Sequence, residues 1–390
     1  MIDYVEIRSK AARELIGIID TAQSIIWKSS FYGVGEFEIY TEFTDTARSL
    51  LVPGNYVTRP DNEECGVIER VEISGLSDKM IIASGRFVKS ILDRRIVYFA
   101  SRTGTGDENI WTCQGATLSG NVELAVRGLI YYTAINAAGF DPIDIEKRNI
   151  PEIYWTNDDI SGITKTITTG DSSEQDAEKQ VTYKNLFDYT ESVLKEYEIG
   201  AKMWLDLDRL LFRYKIYQGV DRSVDNTGGN NPVIFSADFD NLESVSYIFD
   251  NSLNKNTALV GGEGQGVSRK CAFFESELSG LDRREVFVDA SSISTTYKEG
   301  DVDKEYPDSV YRKMLETQGR QSVGELQQTE SFDGTIDATN SQFKYGIDYN
   351  LGDLVTVQDK DIGKYINTRV LSVTECQNET GYNIDVEYGN

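Results

Sequence analysis

The sequence predicts an α+β fold that is mainly β, with two antiparallel β-barrel-like domains and helical insertions. Three observations carry this. Apolar and polar residues alternate with period two toward both ends of the chain, glycine and proline punctuate those runs, and three segments between them switch to a helical period. Many short strands with such punctuation suggest a barrel or a sandwich.

From about residue 24 to 100 the chain reads as strands. Ile25 and Trp27, the run Glu36-Phe37-Glu38-Ile39-Tyr40, the run Val67 to Ile73 and Met80-Ile81-Ile82-Ala83 all alternate. Breaks fall at Gly33, Gly35, Pro53-Gly54, Gly66, Gly75 and Gly85. A first helix is expected from about Asn121 to Ala137, capped by Ser119 or Asn121 and followed by Gly139, with Val122, Val126, Leu129 and Ile130 on one face. A second spans about Asn185 to Ile199, its stop placed at Gly200. A third covers about Pro307 to Thr317, with Val310, Tyr311, Met314 and Leu315 as its apolar stripe and Gly319 beyond. Polar stretches at Thr168–Gln180, Asp221–Asn231 and Asp301–Tyr306 read as linkers. The resulting division is a β-barrel-like domain over residues 1–118, a mixed helical and β domain over 119–235, and a second β-barrel-like domain over 236–390 with an inserted helix at 307–318.

Composition narrows the function classes. At 390 residues there is chain enough for two or three cores, and 39% hydrophobic content predicts a folded protein. The 39 basic residues stand against 64 acidic ones, a net charge of −25. Such a surface repels phosphate backbones, and no basic stripe offsets it, so nucleic-acid binding is not expected. There is no histidine, which removes Ser-His-Asp and Cys-His catalysis and imidazole metal sites. Cys65, Cys113, Cys271 and Cys376 lie far apart, the pattern of free, mostly buried thiols. The opening Met1-Ile2-Asp3-Tyr4 carries no basic-then-apolar leader, so folding in a cytoplasm is expected. The longest apolar run, Gly128 to Gly139, is too short to span a membrane.

Candidate chemistry is sparse, and neither an enzyme nor a cofactor is called for. Gly261-Gly262-Glu263-Gly264-Gln265-Gly266 follows a strand as a phosphate-cradling loop would. However, Lys270 to Phe274 after it reads as a strand where anion binding needs a helix, so a hairpin tip is expected. Asp206-Leu207-Asp208, Asp238-Phe239-Asp240 and Asp61-Asn62-Glu63-Glu64 could hold calcium. They lack the calcium-loop spacing, and in so acidic a chain they read as chance clusters. A glycosidase needs two acids across a cleft, and no spacing singles out such a pair. Arg86, Asp93, Arg94 and Arg95 place basic and acidic groups side by side between apolar strand residues. Two readings stand: an intrachain salt bridge, or a contact between subunits, where arginine pairs bidentately with carboxylate.

Several phrases stand out in order along the chain. They are Gly35-Glu36-Phe37-Glu38-Ile39, Leu51-Val52-Pro53-Gly54-Asn55, Gly66-Val67-Ile68-Glu69, the Gly85-Arg86 to Val97 run, Val260 to Gly264, and Gly280 to Glu285. Val288-Asp289-Ala290, Tyr349-Asn350-Leu351-Gly352-Asp353-Leu354-Val355 and Arg369 to Glu375 complete the set. Together they resemble a family of long-tailed (siphovirus-type) bacteriophage and prophage tail proteins, similar to baseplate central hub proteins. The resemblance implies tail-tube-related barrel domains and a structural role as a tail-tip or baseplate hub. Such a hub is a homotrimer whose six barrels join tube to tip. It would dock a distal tail protein, the tape-measure protein and tip or fibre proteins, and would let DNA pass without binding it specifically. The implied location is the virion tail. Among the matching positions, Asp353 joins the four residues above as an interface candidate. The alternative is a tail-tip protein that binds or degrades host cell-wall glycan, with some of the 22 tyrosines stacking on sugar; as strand residues those tyrosines need no such role.

Overall fold

A computed structural model describes residues 2–75, 79–103, 110–137, 145–167, 178–239, 241, 244–299, 302–336, 342–359 and 364–389. The fold is mainly β. Its largest sheet has ten strands and draws on both ends of the chain. In spatial order run Ser244–Asp250, Thr329–Ile336, Gly381–Gly389, Lys364–Asn378, Ala22–Ser30, Glu36–Glu42, Met80–Arg86 and Arg70–Ser74. Leu354–Asp359 also pairs with Lys364–Asn378, and Ile234–Ser236 lies parallel beside it.

The strand Lys364–Asn378 is the join. Residues 364–369 pair with Leu354–Asp359, and residues 372–378 pair with Ala22–Ser30. A register shift between Val370 and Ser372, a bulge, marks the place where the partner changes. Bulges re-aim a strand and increase its twist, which lets one strand take two successive partners along the same edge.

A seven-stranded sheet runs Ile153–Tyr154, Leu211–Tyr217, Gly200–Asp206, Asn62–Val67, Tyr56–Arg59, Val5–Arg8 and Leu15–Ile19. Between it and the N-terminal strands of the large sheet lies a core containing Val5, Ile7, Trp27, Phe37, Ile39 and Phe87. Burying each such side chain contributes about 1.5–3 kcal/mol. The C-terminal strands enclose a second core around Phe235, Val355, Val373 and Tyr388. Among the described residues neither sheet's hydrogen-bonded path closes on itself.

Among the described residues four α-helices accompany the sheets. The first, α1 (Asp45–Leu50), has no counterpart in the sequence expectations; the Thr44 hydroxyl accepts from the Ala47 N–H and caps it. Helix α2 (Val122–Ile130) starts where expected, with the Asn121 side chain accepting from the Leu124 N–H. It then widens into a π-turn at Tyr131–Ile135, and the expected stop at Gly139 lies outside the described residues. Helix α3 (Leu186–Glu196) is capped by Asn185. Gly200 is not its stop: Glu198, at φ 54°, makes the left-handed turn, and Gly200 opens the next strand. Helices α2 and α3 pack with the hairpin of Gly200–Asp206 and Leu211–Tyr217 around Val126, Ile130, Val193 and Phe212.

Helix α4 (Asp308–Glu325) runs well past the expected end, and Pro307 is its N-cap rather than its first residue. Gly319 sits inside it. A Cβ there would lie 2.8 Å from Val260 Cγ2 and 2.9 Å from Phe274 Cβ, so the glycine lets the helix approach the sheet of Thr257–Gly261, Cys271–Phe274 and Glu285–Asp289. Tyr311, Met314 and Leu315 face that sheet, whereas Val310, assigned to the same stripe, is exposed.

Other expectations divide. Thr257–Gly261 and Cys271–Phe274 form the expected hairpin around the glycine-rich segment. Val302–Glu305 is not a linker but a strand paired with Thr296–Glu299, and Asp301 lies outside the described residues. Of the stretch at 168–180, residues 168–177 lie outside the description, and Glu178–Val181 pairs with Ala116–Ser119. Val67 to Ile73 is not one strand; it breaks between Asn62–Val67 and Arg70–Ser74, which belong to different sheets. Cys65 is buried, but Cys271 is exposed. No described helix is long and apolar enough to cross a membrane.

Candidate functional site

Arg86 ends the strand Met80–Arg86, and Asp93 follows on a 3-10 helix over Val88–Arg94 where the sequence suggested a strand. Val88 and Ile91, three residues apart, share one side of this tighter spiral, and with Leu92 they are buried in the middle core. The Arg86 guanidinium donates to both oxygens of Glu69, each at 3.0 Å, and to Asp93 Oδ2 at 3.1 Å. Those carboxylates hold it above the ordinary arginine range. Asp93 Oδ1 also accepts from Asn185 Nδ2 at 2.8 Å, which ties the start of α3 to this corner.

Arg95 Nε donates to the Arg148 carbonyl at 2.7 Å, and burial together with the neighbouring Arg94 charge lowers its pKa. Arg94 is exposed, and its guanidinium makes no hydrogen bond or ion pair among the described residues. The structure therefore brings Arg86, Asp93, Arg94 and Arg95 to one corner. Asp353 stands apart. It is 2% exposed, its Oδ1 accepts from the Val220 N–H at 2.7 Å, and its Oδ2 accepts from Arg222 Nε and the Asn350 N–H at 3.0 Å.

A second site was not singled out by the sequence. Where the two large sheets and the segment 343–353 meet, they leave a cavity of about 860 Å³. Its wall includes Glu64, Lys89, Tyr217, Tyr345, Glu375 and Tyr382. Arg59 Nη1 reaches Glu375 Oε2 at 2.9 Å and its Nη2 reaches Asp61 Oδ2 at 2.7 Å, while the guanidinium lies 5.3 Å from the centre of the Trp27 ring. Tyr382 donates to Glu375 Oε1 at 2.7 Å. Lys89 Nζ donates to the Ala201 carbonyl at 2.8 Å and stands 3.5 Å from Glu191 Oε1. Glu64 accepts a 2.7 Å hydrogen bond from the Ser29 hydroxyl and has no ion-pair partner among the described residues.

Burial pushes the carboxyls of Glu64 and Glu191 up to about 7, against the pull of Lys89 on both and of the Ser29 hydroxyl on Glu64. Burial, reinforced by the charge of Glu64, raises the phenols of Tyr217 and Tyr345 well above their usual range. Two signals for this site were present in the sequence: Lys89-Ser90 enclosed by Val88 and Ile91, and Glu64 beside Cys65-Gly66 at the end of an acidic run. Among the described residues no group of three or more Cys, Asp or Glu is placed to hold a metal ion.

This arrangement of two β cores, one shared sheet and a helical middle is found in known structures. The tail protein from Neisseria meningitidis MC58 matches 99% of this chain and 96% of its own, with a TM-score of 0.53 at 12% identity. The 43 kDa tail protein of prophage MuSo2 from Shewanella oneidensis matches 99% of this chain and 98% of its own, with a TM-score of 0.54 at 11% identity. The fold is thus one shared with phage and prophage tail proteins. By sequence, the chain belongs to the Siphovirus ReqiPepy6 Gp37-like protein family, whose model matches residues 4–390. The resemblance read from the ordered phrases is therefore shown. No curated protein matches the chain.

Proposed function

We propose that the chain is a structural subunit of a phage or prophage tail tip or baseplate, a hub that joins the tail tube to the tip and leaves a passage for tape-measure protein and DNA. The observation that carries this reading is the end-to-end likeness to two tail proteins, which spans 99% of this chain. The two β cores supply a physical counterpart. Residues 1–118 and 236–390 would carry barrel-like units, residues 119–235 the mixed segment between them, and the strand Lys364–Asn378 would hold the outer units in fixed relation. Three chains would then present six such units, the arrangement that matches a six-fold tube to a three-fold tip.

On this reading the contact between copies, or with distal-tail and tip proteins, uses the corner around Arg94. An exposed guanidinium that pairs with none of the described residues suits a neighbour whose surface is as acidic as this one. Arg86, Asp93 and Arg95 would set the corner's shape, and Asp353 would serve it only from inside the fold. Light scattering on the purified chain of 43.8 kDa tests the assembly. A species of three times that mass is expected, and Arg94→Glu should shift it toward the single chain. A single chain at every concentration, with and without a co-expressed distal tail protein, would overturn the trimeric hub.

A further inference from the structure

The cavity between the sheets holds a carboxylate, Glu64, that forms no ion pair among the described residues. Arg59 is committed to Asp61 and Glu375. Lys89 is committed to the Ala201 carbonyl and to Glu191, whose second oxygen, Oε2, has no partner among the described residues. Lys89 thus acts on two half-buried carboxylates, Glu191 and Glu64, and one positive charge neutralises only one of them. Two further lysines line this wall: Lys202 pairs with Glu63 at the rim at 2.6 Å, and Lys344 is not among the leading charges that act on Glu64. A carboxylate removed from water needs a proton or a cation. Here there is room for the cation, since about 860 Å³ lies within the range of small-molecule sites. What surrounds it is aromatic and hydroxylic: Tyr217 and Tyr345 line the same cavity, and both phenols respond to the Glu64 charge. A metal ion would ask for several convergent carboxylates, whereas Glu64 is one. An ammonium or guanidinium asks for one carboxylate, hydroxyl acceptors and ring faces.

We propose that this cavity binds an organic cation, an ammonium or guanidinium group seated on Glu64 with Tyr217 and Tyr345 beside it. The cation is either a free amine or a lysine or arginine side chain of a docked protein segment. The inference does not depend on the assembly reading, because it concerns a cavity formed within one chain.

Calorimetry at pH 8 tests it, with 1,5-diaminopentane as the free-amine probe and acetyl-Gly-Lys-Gly-amide and its arginine counterpart as side-chain probes. Saturable binding of at least one probe is expected, weakened at least tenfold by Glu64→Gln. That variant keeps the acceptor for Ser29 and removes only the charge. Diamine binding assigns a soluble amine; binding of the peptides alone assigns a partner's side chain. Wild-type binding should also weaken between pH 8 and pH 6 as Glu64 takes a proton in the presence of Lys89, Arg59, Glu375, Tyr217 and Tyr345, while Glu64→Gln shows no such trend. Tyr345→Leu gives the same loss through the ring if Glu64→Gln does not fold. No saturable heat from any probe, equal binding by wild type and Glu64→Gln, or tighter Glu64-dependent binding of calcium chloride would each overturn the proposal.

Discussion

At the scale of single residues, the uncommon feature is a pair of carboxyls held close to neutrality inside a strongly acidic protein. Glu64 and Glu191 have folded-state pKa values of about 7, raised by burial from the usual 4.5. Between those values the folded chain binds more protons than the unfolded one, so stability falls as pH rises through the window and stays lower above it. Asp159 works in the opposite sense. Burial pushes its pKa up, but hydrogen bonds from Arg213 and Thr156 outweigh that and hold it low, so its contribution is lost only in acid. Thermal unfolding followed by circular dichroism should therefore show a melting temperature highest near pH 5 and declining toward pH 8. Glu64→Gln and Glu191→Gln should each flatten the decline, and an unchanged slope in both would reject this account. Little of it could be read from the sequence. Glu64 belongs to an acidic run that reads as a chance cluster, and nothing in that run shows that the strand Gly200–Asp206 lies beside it with Trp204 opposite Glu64. The corner of Arg86 and Asp93 was legible because its partners lie close along the chain, whereas Lys89 and Glu191 are brought together only by packing.

At the scale of elements, legibility followed locality. The cap at Asn121, the start of α3 at Asn185 and the hairpin after Gly261 depend on neighbours a few residues away, and those expectations held. Ends failed where a distant surface decided them. Helix α4 continues through Gly319 because the sheet at Val260 and Phe274 takes the space a side chain would fill. The same distinction separates two further glycines. A Cβ on Gly85 would lie 1.8 Å from the Val67 carbonyl oxygen and 2.9 Å from the Glu69 nitrogen, both main-chain atoms that cannot rotate away. A Cβ on Gly128, inside α2, would meet nothing within 4 Å. Gly85→Ala should accordingly cost about 3 kcal/mol or more by forcing the two strands apart. Gly128→Ala should stabilise by about 0.5–1 kcal/mol through helix propensity. Urea unfolding of the two variants checks both signs, and a neutral Gly85→Ala would show that the strands' close approach is not required.

For the molecule as a whole, the decisive element is the strand Lys364–Asn378, and no period in the sequence announces its double use. Alternation along Arg369 to Glu375 says that a strand is there; it does not say that Trp27, hundreds of residues earlier, lies opposite Glu375. The Arg59–Glu375 ion pair crosses the same seam, with both side chains almost fully buried. Two β cores that share a strand and a buried ion pair cannot open independently, because loosening one end of Lys364–Asn378 removes ladder partners from the other. Val386 tests this. It is buried in the C-terminal core and pairs with Val373, itself opposite Ser29. Val386→Ala should destabilise by about 2 kcal/mol through lost burial and the cavity left behind. If the cores are coupled, amide hydrogen exchange in Val386→Ala will rise in Ala22–Ser30 and Glu36–Glu42 as well as in Gly381–Gly389. Faster exchange confined to the C-terminal strands would mean that the shared strand joins the cores without coupling them.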